Sequence, residues 1–188
     1  MSGVDDWTLV AHARAGDTDA FAELVRRYQR PVMQFCLRMV GSAQDAEEIA
    51  QDTFVRVYRH LHRLEPRAKF STLLFGIARN LTLNFLRDAK RRGRGVTDPM
   101  DTRPHLGDET QRPDRAARLR EIEATLMRAI QRLSPEHREV LVLRELNGMD
   151  YEGIARVVKC RKGTVKSRLA RAREQLHAQL AALGGDRL

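Results

Sequence analysis

Residues 150–176, DYEGIARVVKCRKGTVKSRLARAREQL, contain two short helical patterns that flank a tight break. The first pattern carries an apolar stripe of Ile154, Ala155 and Val158, and Asp150 is a suitable N-cap because its carboxylate can accept first-turn amides. The second pattern carries the apolar residues Val165, Leu169, Ala172 and Leu176 at helical spacing. Residues 159–161 suffice only for a turn. The stretch therefore predicts a helix-turn-helix, whose second helix lies in the DNA major groove.

The charge pattern of this stretch predicts that the second helix contacts DNA. Eight Lys or Arg residues lie between Arg156 and Arg173, with no acidic residue among them. On a helical wheel the outward side carries Gly163, Ser167, Ala170 and Arg171, with Lys166 and Arg168 on the flanks. The predicted start of this helix contains Arg161, Lys162 and Thr164. Free amides and positive charge at a helix start favour binding of a phosphate. The alternative is a solvated basic face, which the one-sided charge and the turn disfavour.

The composition of the chain also favours an anionic partner. Its 188 residues carry a formal net charge of +9, and 42% hydrophobic content allows one or two small cores. Aromatic residues are only 5%, which disfavours a base-stacking platform of many rings. Cys36 and Cys160 are far apart, so neither a disulfide framework nor a metal site is predicted. No signal or membrane-spanning pattern is recognised, and a cytoplasmic protein is expected.

Residues 1–92 are predicted to form a first domain of successive helices. The predicted helices are 5–14, a second from Asp17 or Thr18, roughly 43–64 capped by Ser42, and 72–92 capped by Ser71. Pro31 is expected to kink or split the second helix, because it lacks an amide proton and its ring crowds the preceding turn.

Two polar faces in this domain allow both a functional and a structural interpretation. Asp45, Glu48 and Asp52 share one face beside Gln51, which suits either a basic partner helix or a solvated acidic patch. The fourth helix carries the polar positions Arg79, Asn80, Asn84, Arg87, Lys90, Arg91 and Arg92. With the nearby Phe70 these side chains could bind nucleic acid, but the pattern alone favours a solvated helix face.

The helical pattern stops at residues 93–114, GRGVTDPMDTRPHLGDETQRPD, which predict a flexible linker. Residues 115–188 are predicted to form the second domain, and a helix restarts at Ser134-Pro135 with an N-cap and a Pro at its first position. In that helix Glu139, Arg144 and Glu145 are expected to face solvent.

Two helical domains, an acidic face, a basic helix and a C-terminal helix-turn-helix together resemble one bacterial family. Over nearly its whole length, the chain is similar to RNA polymerase sigma factors of the extracytoplasmic-function (ECF) group. The motifs that carry the resemblance are DAEEIAQDTFVRVYRHL (45–61), FSTLLFGIARN (70–80), LSPEHREVLVLRELNGMDYEGIA (133–155) and GTVKSRLARAREQL (163–176). In combination these motifs are far more specific than the helix-turn-helix alone.

The resemblance implies an all-α fold and a division of functions among the motifs. The residues that dock on a coiled coil of the polymerase's beta-prime subunit would be Asp45, Glu48, Gln51 and Asp52. The beta flap of the polymerase is a further expected contact. The residues that hold a flipped base of the downstream ("minus ten") element would be Phe70, Ser71, Ile77 and Asn80. The readers of the upstream ("minus thirty-five") element would be Lys166, Ser167, Ala170 and Arg171. The linker would thread toward the RNA exit path, and an anti-sigma factor is an expected partner.

The same resemblance implies that the chain carries no catalytic residue, cofactor or metal. It implies promoter-specific transcription initiation in a stress or signal response. Several positions depart from the family pattern. Leu73 replaces a usual Trp, Gly76 a common basic residue and Asn84 a frequent Asp. Lys159 replaces the usual turn Gly, so a left-handed backbone there would be strained. Ala170 is smaller than the side chain that some family members carry at this position, and it can contact a thymine methyl group at most.

Two other classes of function stay open at this point. A stand-alone helix-turn-helix regulator would need a dimer interface or a ligand domain, and the sequence indicates neither. A hydrolase would need convergent catalytic residues. The histidines are instead scattered without nucleophile-elbow, metal or P-loop spacing, at His12, His60, His62, His105, His137 and His177.

Overall fold

A computed structural model describes residues 4–93 and 113–183, and in both ranges every regular element is helical. The all-α prediction is therefore confirmed. The helices are α1 (Asp6–Arg14), α2 (Thr18–Val40), α3 (Ala43–Arg59), α4 (Phe70–Arg91), α5 (Pro113–Gln131), α6 (Pro135–Leu141), α7 (Tyr151–Val158) and α8 (Lys162–Ala182). Of the predicted linker, only Gly93 and the first two residues of α5 fall within the described residues.

Helices α1–α4 form the first bundle, in which α2 packs against α1, α3 and α4. Its centre is built from large side chains that are fully buried, among them Phe35 of α2 and Leu74 of α4. The rings of Phe35 and Phe75 meet edge to face with centroids 5.7 Å apart. Cys36 lies in the same core as a free thiol.

Three helix boundaries in the first bundle differ from the sequence prediction. The second helix continues through Pro31 without splitting and ends at Gly41, whose φ of +84° is the left-handed conformation that glycine tolerates. The third helix ends at Arg59, and a separate 3-10 turn follows at Leu61–Arg63. The fourth helix begins at Phe70, so Lys69 rather than Ser71 occupies the N-cap position. Burial of Phe70 in the core accounts for the earlier start.

Helices α5–α8 form the second bundle, and α7 and α8 are the predicted helix-turn-helix. Asp150 caps α7, since its Oδ1 accepts a hydrogen bond of 2.6 Å from the Gly153 amide. Lys159 ends α7 in the left-handed conformation with φ +55° and ψ +48°. The strain expected at this non-glycine position is therefore present, on the order of 1 kcal/mol. Ile154, Val165 and Leu169 close the core beneath the turn.

The two bundles pack against each other along α4 and α7, and α2 also contacts α5 and α6. At Gly153 a Cβ atom would lie 3.5 Å from Thr72 Oγ1, an ordinary van der Waals distance, so α7 meets α4 at this position. Between α6 and α7 the backbone forms a π-helical turn at Val142–Leu146, where a continuous α-helix was expected. Asn147 follows this turn, and its side-chain Nδ2 donates a hydrogen bond of 3.3 Å to the Pro31 carbonyl of α2.

Candidate nucleic-acid interface

The outward face of α8 is arranged as the helical wheel predicts. Val165, Leu169 and Ala172 are buried. The exposed positions opposite them are Gly163, Ser167, Ala170 and Arg171, together with Arg161, Lys162 and Lys166, while Thr164 is half-buried. The Ser167 hydroxyl donates to the Thr164 carbonyl at 3.0 Å, which fixes its orientation on this face. The arrangement presents cations, a hydroxyl and a small apolar side chain to a partner, a combination suited to base edges.

The N-terminus of α8 is suited to an anion. Arg161 occupies the N-cap position with extended backbone, and within the described residues its side chain makes no capping hydrogen bond. The first-turn amides are therefore not satisfied by a capping side chain, as they are in α7 by Asp150. Because Lys162 adds its charge at the same end, a phosphate would meet both the helix dipole and a cation.

Arg168 differs from the other basic residues of α8. Its side chain is only 23% exposed, and its Nη2 lies 2.7 Å from Glu136 Oε2 in α6. Its Nη1 also lies 3.9 Å from Glu139 Oε1. The guanidinium predicted to contact DNA from the flank of the helix is thus engaged by carboxylates of its own bundle.

The four residues predicted for the downstream element do not form one exposed patch. Asn80 is exposed on α4, whereas Ser71 and Ile77 are half-buried. Phe70 is only 2% exposed, and its ring meets Trp7 and Tyr28 edge to face at 6.0 and 5.5 Å. In this arrangement the Phe70 ring belongs to the core and orients the start of α4, while Asn80 is the most exposed of the four residues.

The same region is tied to the N-terminal helix. The indole Nε1 of Trp7 donates a hydrogen bond of 2.8 Å to the carbonyl of Ala68, in the loop before α4. Asp5 caps α1 by accepting from the Trp7 amide at 3.0 Å. The position of the α3–α4 loop therefore depends on α1, a dependence that the sequence pattern did not indicate.

Glu139 is the buried charged residue whose position the sequence analysis predicted wrongly. It was expected to face solvent, but it is 1% exposed and lies between the two bundles. Both of its oxygens are paired with Arg79 of α4, at 2.6 Å from Nε and 3.1 Å from Nη2. Burial raises the pKa of Glu139, while the hydrogen bonds and charge of Arg79 oppose that rise.

A helical wheel of one bundle carries no information about the other bundle, and this explains the error at Glu139. One signal was nevertheless available in the sequence. Glu139 precedes the apolar residues Val142 and Leu143 by three and four positions, so it shares their side of the helix. Both of those residues are completely buried.

The acidic face of α3 comprises Asp45, Glu48, Gln51 and Asp52. The last three are exposed, and Asp45 is half-buried in the first turn, where its amide donates a hydrogen bond of 3.3 Å to the Ser42 hydroxyl oxygen. One turn further along, Val55 is 44% exposed and Tyr58 is 54% exposed. The acidic face therefore continues into an apolar surface that sequence reasoning did not include.

Two family models match the chain. The model for sigma-70 region 2 matches residues 24–92, and the model for sigma-70 region 4 matches residues 123–176. These ranges cover most of the first bundle and the helix-turn-helix with the helices before it.

Relatives of known name match nearly the full length. The RNA polymerase sigma-H factor of Pseudomonas aeruginosa is 38% identical, over 95% of either chain. The ECF RNA polymerase sigma factor SigW of Bacillus subtilis is 32% identical, over 93% of this chain and 96% of its own. The chain therefore belongs to the ECF group of RNA polymerase sigma factors.

Solved structures agree with this assignment. CnrH, solved in complex with the cytosolic domain of CnrY, superposes with a TM-score of 0.70 at 29% identity, over 94% of this chain and 97% of that one. The sigma factor RpoE of Bartonella quintana, solved with the anti-sigma factor NepR, gives a TM-score of 0.66 at 25% identity. That match covers 86% of this chain and 96% of that one. Among the described residues, no helix is both long and apolar enough to span a membrane.

Proposed function

We propose that this sigma factor directs core RNA polymerase to its promoters through three separate surfaces, and that the polymerase performs all the chemistry. The acidic face of α3 binds the polymerase, α4 reads and helps to melt the downstream element, and α8 reads the upstream element. The observation that carries this proposal is the outward face of α8, which combines exposed cations with uncapped helix amides in a chain that matches both sigma-70 regions.

The proposed polymerase contact combines exposed carboxylates with a neighbouring apolar side chain. The exposed carboxylates Glu48 and Asp52 suit a basic coiled coil of the beta-prime subunit, because complementary charge orients a partner. The neighbouring Val55 supplies apolar area that is removed from water on docking. The beta flap is the second proposed polymerase contact, for the bundle that carries α8.

The proposed downstream contact centres on Asn80. Its amide offers two donors and an acceptor, which suffice to pair with one edge of an extruded base. Ser71 and Ile77 are half-buried nearby on the same helix and would form the wall of that site. Phe70 acts in this proposal through the position of α4, because its own ring lies in the core.

The proposed domain organisation follows the sequence boundaries 1–92, 93–114 and 115–188. Joining two weak DNA-binding modules to one polymerase makes the second contact intramolecular, so the pair selects a promoter that neither module would select alone. The protein would act in the cytoplasm, where polymerase and chromosome meet. An anti-sigma factor is a proposed partner, since NepR is named as one in the complex with the similar RpoE.

The competing function is a stand-alone helix-turn-helix regulator. A DNA-protection experiment separates the two functions: genomic fragments are incubated with the chain alone, with core polymerase alone and with both. A sigma factor gives protection that requires core polymerase and covers two unlike elements. A regulator gives protection of a two-fold symmetric site by the chain alone, and that outcome would overturn the proposal.

A further inference from the structure

We propose that α1 fixes the conformation of the α3–α4 loop, residues 60–69, and that Trp7 and Arg14 are positioning residues for recognition of the downstream element. Their side chains hold the loop backbone, so that the loop and the start of α4 meet the single strand already in place. The inference rests on the proposed function, because it takes α4 as the helix that reads the downstream element. It adds two residues that act through the loop backbone and not through contact with DNA.

Two side chains on one face of α1 bind three carbonyls of the loop. Trp7 and Arg14 are seven positions apart, so they lie two turns from each other on the same side of the helix. The Trp7 indole donates from Nε1 to the Ala68 carbonyl at 2.8 Å. The Arg14 guanidinium donates from Nε to the Leu61 carbonyl at 3.2 Å and from Nη2 to the Leu64 carbonyl at 2.5 Å. The loop is therefore held near its start, in its middle and near its end.

These side-chain donors take the place of backbone donors. Residues 64–69 form no helix, and among the described residues no loop or turn amide donates to the carbonyl of Leu64 or of Ala68. Leu64 is buried and Ala68 is half-buried, so both carbonyls are partly removed from water. A carbonyl that loses both water and its donor is costly. The loop is therefore stabilised in the conformation that Trp7 and Arg14 bind.

The helix that holds the loop is itself fixed on α2. The Tyr28 hydroxyl donates to Asp6 Oδ2 at 2.5 Å, and Arg27 Nη1 lies 3.1 Å from Asp6 Oδ1. On the side of α1 that faces the core, Leu9 and Val10 are buried. Because α1 is attached to the first bundle by both polar and apolar contacts, it gives the loop a fixed position relative to α4.

The held conformation presents basic side chains beside the start of α4. Arg63, Arg67 and Lys69 are exposed. Leu61 and Leu64, whose carbonyls are bound from α1, are buried between and before them. A loop with a fixed backbone offers its charges to a single strand without first losing conformational freedom, which is the advantage of preorganisation. Release of the loop from α1 is therefore expected to weaken discrimination at the downstream element.

An isosteric change tests this role, because Trp7 is the only tryptophan of the chain. Replacement of tryptophan by benzothienylalanine during expression puts sulfur in place of the indole N–H, so the ring stays and the donor to Ala68 is lost. Arg14→Lys is combined with it, since lysine keeps the charge but lacks the planar fork that reaches two carbonyls. The matched control is Arg26→Lys with natural tryptophan, at an exposed arginine of α2 that pairs with its own helix.

Core polymerase with each form of the chain transcribes a library of random-sequence duplexes, and each RNA is sequenced together with its template. The chain altered at both positions is expected to discriminate among downstream bases roughly tenfold less well, because three hydrogen bonds to the loop are lost or weakened. Its preference at the upstream element should be unchanged, since α8 is untouched and serves as internal control. Retention on immobilised core polymerase should also be unchanged. Arg26→Lys is expected to leave both preferences as they are.

Two results would overturn the positioning role. The first is an undiminished downstream preference in the altered chain. The second is an equal loss of preference at both elements, because that pattern indicates a general loss of folded protein and not a displaced loop. The proposed sigma function is tested separately by the natural chain in the same library. If the natural chain gives no preference at either element, the sigma function itself is rejected.

Discussion

Arg138 of the second bundle donates a hydrogen bond from Nη1 to the carbonyl of Met39, near the C-terminal end of α2, at 2.5 Å. Arg138 is 5% exposed, and its guanidinium also donates to the carbonyls of Gln131, at the end of α5, and of Leu133, in the turn that follows. One buried cation therefore satisfies backbone acceptors at the ends of two helices from different bundles. Burial lowers the pKa of Arg138, which is the expected direction for a cation removed from water.

Arg138→Ala is expected to lower the free energy of unfolding by about 3 kcal/mol, because several buried carbonyls lose a charged donor at once. Urea unfolding followed by circular dichroism measures the change. Arg132→Ala is the matched control, since Arg132 is exposed and should change the free energy by less than about 0.5 kcal/mol. Equal losses in the two variants would remove the bridging role from Arg138.

Asp52→Lys is expected to weaken binding to core polymerase, because it reverses an exposed charge of the acidic face. Binding is measured by retention on immobilised core polymerase. Asp19→Lys makes the same charge change at an exposed position on α2, away from the acidic face, and serves as control. Undiminished retention of Asp52→Lys would argue against α3 as the polymerase-binding helix.

Asn80→Ala is expected to impair strand opening more than initial promoter binding, since the lost amide is the one proposed to hold an extruded base. Permanganate reactivity of unpaired thymines measures opening, and a gel shift measures binding. Asn84→Ala tests a second exposed amide one turn further along α4. Full opening by the Asn80 variant at saturating protein would exclude Asn80 from the site.

Arg171→Ala is expected to relax the choice of base pair at one upstream position, at a cost of about 1–3 kcal/mol. Arg171 is exposed opposite the buried stripe of α8, where a guanidinium can reach a base edge. Holoenzyme binding to promoters with each upstream base pair substituted in turn provides the profile. An unchanged profile would show that a different face of α8 meets DNA.

Lys162→Ala is expected to behave differently, because Lys162 lies at the helix start where a phosphate is the proposed partner. Affinity should fall similarly for all sequences, and the salt dependence should decrease by roughly one unit of slope. The measurement is holoenzyme affinity across a range of salt concentrations. A change confined to particular promoter sequences would assign Lys162 to base contact instead.

The sequence was sufficient for features that depend on local physics. The cap at Asp150 and the outward position of Arg171 follow from side-chain chemistry and helical periodicity, and the structure confirms both. The left-handed turn at Lys159 was expected from the family resemblance, and the structure contains it. These features lie within one supersecondary unit, so a single sequence window contains the residues that determine them.

The sequence was insufficient where one bundle meets another. Glu139 is polar, yet it is buried because Arg79 lies 60 residues earlier in the chain and folds against it. Of the two outcomes expected at Pro31, a kink or a split, the split does not occur, since packing on three neighbouring helices holds α2 together. The burial of Phe70 likewise depends on distant segments, since two aromatic rings from α1 and α2 pack against it. Each of these outcomes depends on contacts between distant segments.

The most direct test of the sigma function is the mapping of transcript start sites in a reconstituted reaction. Core polymerase, nucleotides and a library of genomic fragments are incubated with and without this chain, and RNA 5′ ends are sequenced. The proposed function predicts new start sites that require the chain and share two upstream sequence elements at a fixed spacing. Identical start sites with and without the chain would contradict it.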